Sequence, residues 1–343
     1  MITKIKIDQY FSIHSGLPLI DVRSPGEFQK GHIPGAFNVP LFSDDERAQV
    51  GTMYVRQSRE KAIELGYKFV TPKLIDFITQ SEEIAPKKEV VVHCWRGGMR
   101  SAAFAQHLAD NGFHQVYLIE GGYKAFRNFV LKTFDFPFKL NVLGGYTGSG
   151  KTPILNSIRK MGHQVVDLEQ LANHKGSAFG GIGLPKQPTV EQFENDLFDE
   201  FRKLDFSKPI WLEDESHNIG HVQIPINLFR QIREHPLLFL DIPREQRARH
   251  LVEEYGKCDN NELAAAIERI HKRLGGLAVK NALQNLAEGN YFEVAEITLF
   301  YYDKSYLKGM RSREQSKVIT IKLEDTDAVK NAHLILNQTE SYV

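Results

Sequence analysis

Leu140-Asn141-Val142-Leu143-Gly144-Gly145-Tyr146-Thr147-Gly148-Ser149-Gly150-Lys151-Thr152 decides how the second half of the chain folds. An apolar strand runs straight into Gly145-x4-Gly150-Lys151-Thr152, and a helical stretch follows, which is the context a phosphate-binding loop requires. Gly145, Gly148 and Gly150, with Ser149 between them, let backbone N–H groups converge on phosphate oxygens. Lys151 is placed to neutralise terminal phosphates and Thr152 to offer a hydroxyl to magnesium. Pro153 is tolerated because an N–H that early in a helix has no helical partner.

Downstream, Ile210-Trp211-Leu212-Glu213-Asp214-Glu215-Ser216 reads as an apolar strand ending in carboxylates. Glu213 and Asp214 are both candidates for a magnesium-linked acid, and the spacing does not choose between them. Arg244, Arg247 and Arg249 follow the apolar run 237–241 and are candidate lid residues over a pyrophosphate; a solvated helix face fits them equally. Basic residues gather in two clusters, the second interleaved with aromatics in the way RNA contacts are, and an ordinary solvated helix face fits them equally. One is His271-Lys272-Arg273, and the other is Lys304, Lys308, Arg311 and Arg313 with Tyr301, Tyr302 and Tyr306. Residues 261–286 have helical periodicity broken at Gly275-Gly276, and residues 318–323 predict a last strand before a terminal helix.

The first third alternates short apolar strands (17–22, 89–93, 115–119) with helical stretches such as 101–111, a parallel α/β pattern. Pro137 and the fresh strand after it predict a boundary that divides the chain into domains 1–136 and 137–343. The fold class expected is α/β: a parallel-sheet domain, then a P-loop NTPase-like α/β domain with a helical C-terminal part. Between the strand 89–93 and the next helix lies Cys94-Trp95-Arg96-Gly97-Gly98-Met99-Arg100-Ser101. A cysteine there faces a helix N-terminus and a glycine turn, which favour the thiolate, the nucleophilic form. Arg96 and Arg100 add positive charge, and Arg100 is suited to hold an oxyanion through paired hydrogen bonds.

Composition narrows the partners. The chain has 343 residues, 42% hydrophobic and 25% charged, so disorder and fibrous architectures are excluded. Lys plus Arg and Asp plus Glu are 43 each, so any nucleic-acid footprint must be local. No apolar run approaches the ~18 residues of a membrane span, and no membrane partner is expected. Two cysteines, Cys94 and Cys258, give neither a disulfide framework nor a structural zinc site. A reduced, cytoplasmic protein is the expectation, with no role assigned to Cys258.

Residues 21–28 (Asp-Val-Arg-Ser-Pro-Gly-Glu-Phe), 31–40 (Gly-His-Ile-Pro-Gly-Ala-Phe-Asn-Val-Pro) and Gly121-Gly122-Tyr123 resemble the rhodanese-homology domain, and the Cys94 loop falls where that family keeps its nucleophile. One departure is plain. The common sulfur-transferring loop resembles C-x4-R, whereas five residues separate Cys94 from Arg100, a spacing shared with cysteine phosphatases. Rhodanese-like and P-loop domains in one chain, together with residues 46–54, 213–216, 272–276 and 301–304, resemble the tRNA 2-selenouridine synthase family along nearly the whole sequence.

That resemblance implies a transferase acting on the wobble 2-thiouridine of tRNA. Geranyl diphosphate would first alkylate the sulfur, and selenium from selenophosphate would then replace the geranylthiol. Cys94 is implied as carrier, and the loop Trp95, Arg96, Gly97, Gly98, Met99 and Arg100 as the selenophosphate cradle. No tightly bound cofactor is expected beyond magnesium at the diphosphate. The competing reading is a rhodanese-fold phosphatase fused to a P-loop kinase or ATPase.

Overall fold

Val90, Val91 and Val92 are β-branched and completely buried, so their strand has to be covered on both faces. In the computed structural model, which describes residues 1–310 and 313–340, that strand is the middle one of five. The strands are β1 (Ile2–Ile5), β2 (Leu19–Asp21), β3 (Ala36–Asn38), β4 (Glu89–His93) and β5 (Gln115–Ile119). All pair in parallel, in the order β1-β5-β4-β2-β3. Val90 and Val92 share a core with Phe104 and Leu108 of the helix Met99–Asp110. The charged N-terminal segment, not anticipated as a strand, forms β1 at the sheet edge, where Lys4 stays exposed.

The second unit repeats the plan. Its strands are β6 (Leu140–Gly145), β7 (Gln164–Val165), β8 (Ile210–Glu213), β9 (Asn218–Ile219), β10 (Val222–Gln223), β11 (Leu237–Asp241) and β12 (Val318–Lys322). β9 and β10 make a small antiparallel pair, and the other five form a parallel sheet in the order β12-β11-β6-β8-β7. β6 is therefore central, with β8 on one side and β11 on the other. The crevice beyond the carboxyl ends of such strands is where doubly wound sheets bind ligands. In each unit the loop with unusual chemistry follows the central strand: Cys94 after β4, and Gly145 to Gly150 at the end of β6.

The helical part lies between β11 and β12, in helices Arg244–Tyr255, Asn260–Arg269, His271–Leu274, Gly276–Ala287 and Tyr291–Met310. Its break falls at Gly275, whose φ of +93° suits glycine. The chain then returns to the sheet as β12. Its last helix, Ala328–Glu340, packs Ala332 and Ile335 against Ile154 and Ile158 of the helix Lys151–Lys160. No helix among the described residues is long and apolar enough to cross a membrane.

The two units divide at Thr133/Phe134, three residues before the position that Pro137 suggested. The reason is the ring of Phe134. It is fully buried in the second unit, edge-on to Phe201 at 5.5 Å, and its carbonyl accepts a hydrogen bond from Gln231 Nε2 at 3.0 Å. Phe134→Ala is predicted to destabilise the second unit by about 3 kcal/mol or more. The two tryptophans, Trp95 and Trp211, fall one in each unit. In a Trp95→Phe background the unfolding transition reported by Trp211, buried in β8, should move to lower denaturant; an unmoved Trp211 transition would put Phe134 in the first unit.

Candidate functional site

Cys94 is 3% exposed, and its Sγ lies 3.2 Å from Ser101 Oγ, which also donates to Gly98 O at 3.2 Å. The loop is drawn tight by its support. Tyr123 N–H donates to Cys94 O and Lys124 N–H to Trp95 O, both at 2.9 Å. Only glycine permits this approach, because a Cβ on Gly122 (φ +55°) would stand 2.2 Å from Cys94 O and 2.6 Å from Gly97 N. The helix Met99–Asp110 begins at Gly98, which has no side chain to cap it, so its first N–H groups are left toward the loop. Trp95 is half-buried, 5.7 Å from the ring of Tyr123, while Arg96, Gly98 and Met99 are exposed and Gly97 partly so.

Arg100 does not stand free. Its Nη1 donates to Glu27 Oε2 at 3.0 Å, and Arg47 approaches the same carboxylate at 3.6 Å. Burial would raise the pKa of Glu27, but Arg100, the Ser24 N–H and Arg47 outweigh it and hold the carboxyl below its ordinary value. Beneath the loop Arg23 is buried, bonded to Asp21 at 2.6–3.0 Å and to Gly31 O at 2.7 Å, with its guanidinium 3.7 Å from the Tyr123 ring centre. This ion pair fixes the ring that in turn fixes the loop.

In the second unit Gly145 ends β6, and Gly148 and Gly150 take φ of +78° and +68° before the helix Lys151–Lys160. Ser149 Oγ donates to Tyr146 O at 2.6 Å. Lys151 is enclosed. Burial alone would lower its pKa, but Tyr306, Glu169, Glu215 and Glu213 raise it above the ordinary value, so the ammonium stays charged. Thr152 Oγ1 donates to Glu169 Oε2 at 2.9 Å. A hydroxyl beside a carboxylate is the hard-oxygen pair that magnesium takes together with phosphate oxygens. Among the described residues no three His, Cys, Asp or Glu side chains form a metal site by themselves, so Thr152 and Glu169 would hold the ion only in company with a phosphate.

The loop forms part of the lining of a cavity of about 880 Å³, which Glu169 and Glu215 also line. Phe179, from the loop before the helix Val190–Phe201, and apolar side chains of the helical part, including Leu263, Ile270, Leu286 and Val294, complete it. Glu215 is pushed up to about 8, by burial first and by the charge of Glu169 next, against the pull of Lys151. Glu169 and Glu215 face the lysine without having been chosen from the sequence. The two residues chosen are occupied elsewhere. Glu213 is fully buried and accepts the N–H groups of Leu168 and Glu169 at 3.2 and 3.4 Å, capping the helix Leu168–Ala172. Asp214 lines the cavity but is bonded to Arg233 at 3.2 Å and to Arg313.

The lid reading also changes. Arg244 pairs with Glu296 at 2.9 Å, and Arg249 pairs with Glu245 at 2.8 Å; neither lines the cavity. Arg247 is 3% exposed, with both Nη atoms on the Asp303 carboxylate at 2.9 Å, Nη1 on Thr147 O at 3.1 Å and Nε on Ile242 O at 3.0 Å. It is a tie beneath the phosphate loop. Of the second basic cluster, Arg313 is buried on Asp214, Tyr302 and Tyr306 line the cavity, and Lys304 sits 4.1 Å from the Phe300 ring centre. Arg311 and the side chain of Lys308 lie outside the described residues.

Arg247→Ala, which strands Asp303 and unties Thr147, is predicted to cost about 3 kcal/mol or more of stability, seen as a lower denaturant midpoint. A mobile lid arginine would spare the midpoint and cost only diphosphate affinity. Pyrophosphate, with no metal added, should bind more weakly as pH climbs through about 8, because ionised Glu215 sets a negative charge beside it. Calorimetric titrations on either side of that pH should show the loss, and Glu215→Gln should flatten it; a pH-independent affinity in the wild type would remove Glu215 from the anion site.

Two family models match the chain: a rhodanese-like domain over residues 9–129 and the tRNA 2-selenouridine synthase AAA domain over residues 138–334. The chain is 34% identical to a tRNA 2-selenouridine synthase of Nitrosomonas europaea, with 86% of this chain and 90% of that protein covered. It is 33% identical to one of Bdellovibrio bacteriovorus (90% and 93% covered) and 36% identical to one of a Sulfurovum species (84% and 87%). These likenesses span both units, with the cysteine loop in one and the phosphate loop in the other, and the chain belongs to the tRNA 2-selenouridine synthase family.

Proposed function

We propose that the chain exchanges sulfur for selenium at the wobble 2-thiouridine of tRNA in two steps, through an S-geranyl intermediate. The observation that carries this reading is the single cavity that joins a phosphate loop to an apolar wall. An ATP-driven motor has no need of such a wall, whereas geranyl diphosphate has one end for each part. The loop N–H groups and Lys151 take the diphosphate, and side chains such as Leu263, Leu286 and Val294 take the ten-carbon chain. The thiocarbonyl sulfur attacks C1 of the geranyl group, the C–O bond breaks, pyrophosphate leaves and the base gives up its N3 proton. The charge that develops on the leaving group meets the preorganised Lys151 ammonium. Magnesium, when bound, would neutralise part of the same charge.

The second step belongs to the Cys94 loop. Its helix N-terminus and Arg96 favour an anion such as selenophosphate; the selenium adds to C2 of the geranylated base beside Cys94, water takes the phosphoryl group from selenium as phosphate, and the C–S bond breaks so that geranylthiol leaves. The phosphatase reading is weaker here, because it needs a carboxylic acid to protonate the leaving group. Glu27, the carboxylate bonded to Arg100, is held ionised.

Nucleoside mass spectrometry of 2-thiouridine tRNA, incubated first with geranyl diphosphate and then with selenophosphate, tests the scheme. Wild type should give a geranylated nucleoside and then 2-selenouridine. Cys94→Ser should stop at the geranylated nucleoside, and Lys151→Ala should lower the first step by about a hundredfold, the scale of losing one transition-state charge contact. Unchanged 2-thiouridine with the wild type would refute the scheme; loss of both steps in Cys94→Ser would refute the division of labour.

A further inference from the structure

The phosphate-loop cavity shares a wall with a second, broader depression of about 1380 Å³ in the same unit. Gly176, Ser177, Ala178, Ser216, Ile270 and Arg273 line both. The Gly176-Ser177-Ala178 part of this wall is nearly bare backbone, so little side-chain bulk separates the two spaces. It is held from both sides: Ala178 N–H donates to Tyr302 Oη at 3.1 Å, and Ala178 O accepts from Arg269 Nη2 at 2.7 Å. Gly176 cannot thicken without a clash, since a Cβ there (φ +68°) would stand 2.6 Å from Glu215 Oε2.

The rim of this depression carries Arg269, His271, Lys272 and Arg273, with Glu262 and Glu268 as its acids. Lys272 and His271 are exposed. Arg273 is exposed too and lines both spaces, its Nη1 donating to Tyr301 Oη at 3.3 Å, and the rings of Tyr301 and Tyr302, which line the cavity, lie 5.0 Å apart. From outside to inside, the sequence is a cationic rim, a thin glycine-containing edge, a pair of tyrosines and the enclosed Lys151.

We infer that this depression docks a single-stranded segment of the RNA substrate, its phosphates on the 269–273 rim and one base turned over the Gly176–Ala178 edge toward Lys151. The inference rests on the function proposed above, which requires a thiocarbonyl to reach a diphosphate ester inside the cavity. A base can do that only when unstacked, and unstacked loop bases are commonly received by aromatic side chains such as the two tyrosines. The chain as a whole has no net charge, so phosphate contacts must come from a local rim of this kind.

Lys272 is the rim cation to test, because it is exposed and sits outside the cavity. tRNA binding should be measured by filter retention over a series of salt concentrations, with pyrophosphate binding and the thermal midpoint measured alongside. Lys272→Glu is expected to weaken tRNA binding roughly tenfold near ~0.1 M salt and to lower the slope of log K against log salt by about one. Lys272→Arg should restore both, and pyrophosphate binding should not change. A Lys272→Glu protein with wild-type tRNA affinity and slope would overturn the docking site and leave the proposed function standing. Loss of pyrophosphate binding in the same variant would also overturn it, making Lys272 a structural residue. Wild-type protein that bound no tRNA would overturn the function and the docking site together.

Discussion

A central parallel strand buried on both faces must end somewhere, and the backbone beyond it has lost its neighbours on the sheet. Both sites grow from that constraint. After β4 the chain turns through Cys94 to Gly98, and after β6 through Tyr146 to Gly150, each time into a helix whose first N–H groups lack partners. The turn has to be tight, so its supports come close. In the first unit Gly121-Gly122 backs the loop, and a Cβ on Gly122 would stand 2.2 Å from the Cys94 carbonyl oxygen. In the second, a Cβ on Gly148 would stand 2.9 Å from Arg247 O, because the arginine lies directly against the loop.

The supports differ in kind, and the difference shapes each site. Around Cys94 the charges pair among themselves: Arg23 with Asp21 and Arg100 with Glu27. An incoming anion there must meet exposed Arg96 and the helix N–H groups, or draw Arg100 from Glu27. Around Lys151 the balance is held by carboxyls that need not be charged. Burial lifts Glu215 to about 8 and Glu213 well above its ordinary value. Near neutral pH Glu215 is mostly protonated, so the enclosed lysine keeps positive charge to spare for a diphosphate.

What the sequence disclosed was whatever is local in it. Strand, glycine turn and helix are contiguous in both loops, and their residues stand where the spacing put them. What it concealed was partnership at a distance. An arginine just after a strand looks the same whether it covers a ligand or ties down a loop; Asp303, 56 positions on, decides it for Arg247. A carboxylate at the end of a strand reads the same whether it serves a metal or an arginine; Arg313, 99 positions away, takes Asp214. Glu169 gave no signal, because its place beside Thr152 depends on a short helix capped by Glu213 from another strand. The charged segment 2–5 concealed an edge strand because an edge tolerates what a central strand does not.

The proposed chemistry gives a reason for keeping the two loops in separate units. An allylic diphosphate reacts with soft nucleophiles, and a cysteine thiolate is softer and more available than the sulfur of a thiouridine. A cysteine in the phosphate-loop cavity would be alkylated in place of the RNA. The cavity is lined by no cysteine among the described residues. Cys258 packs against the neighbouring cluster that includes Phe179, Tyr255 and Leu263 without facing into it. Cys94 belongs to the other unit, buried beneath its own loop with Ser101 at its sulfur. A chain that needs both a thiol and an alkylating agent is thus served by two folds, each with one anion loop, better than by one fold holding both.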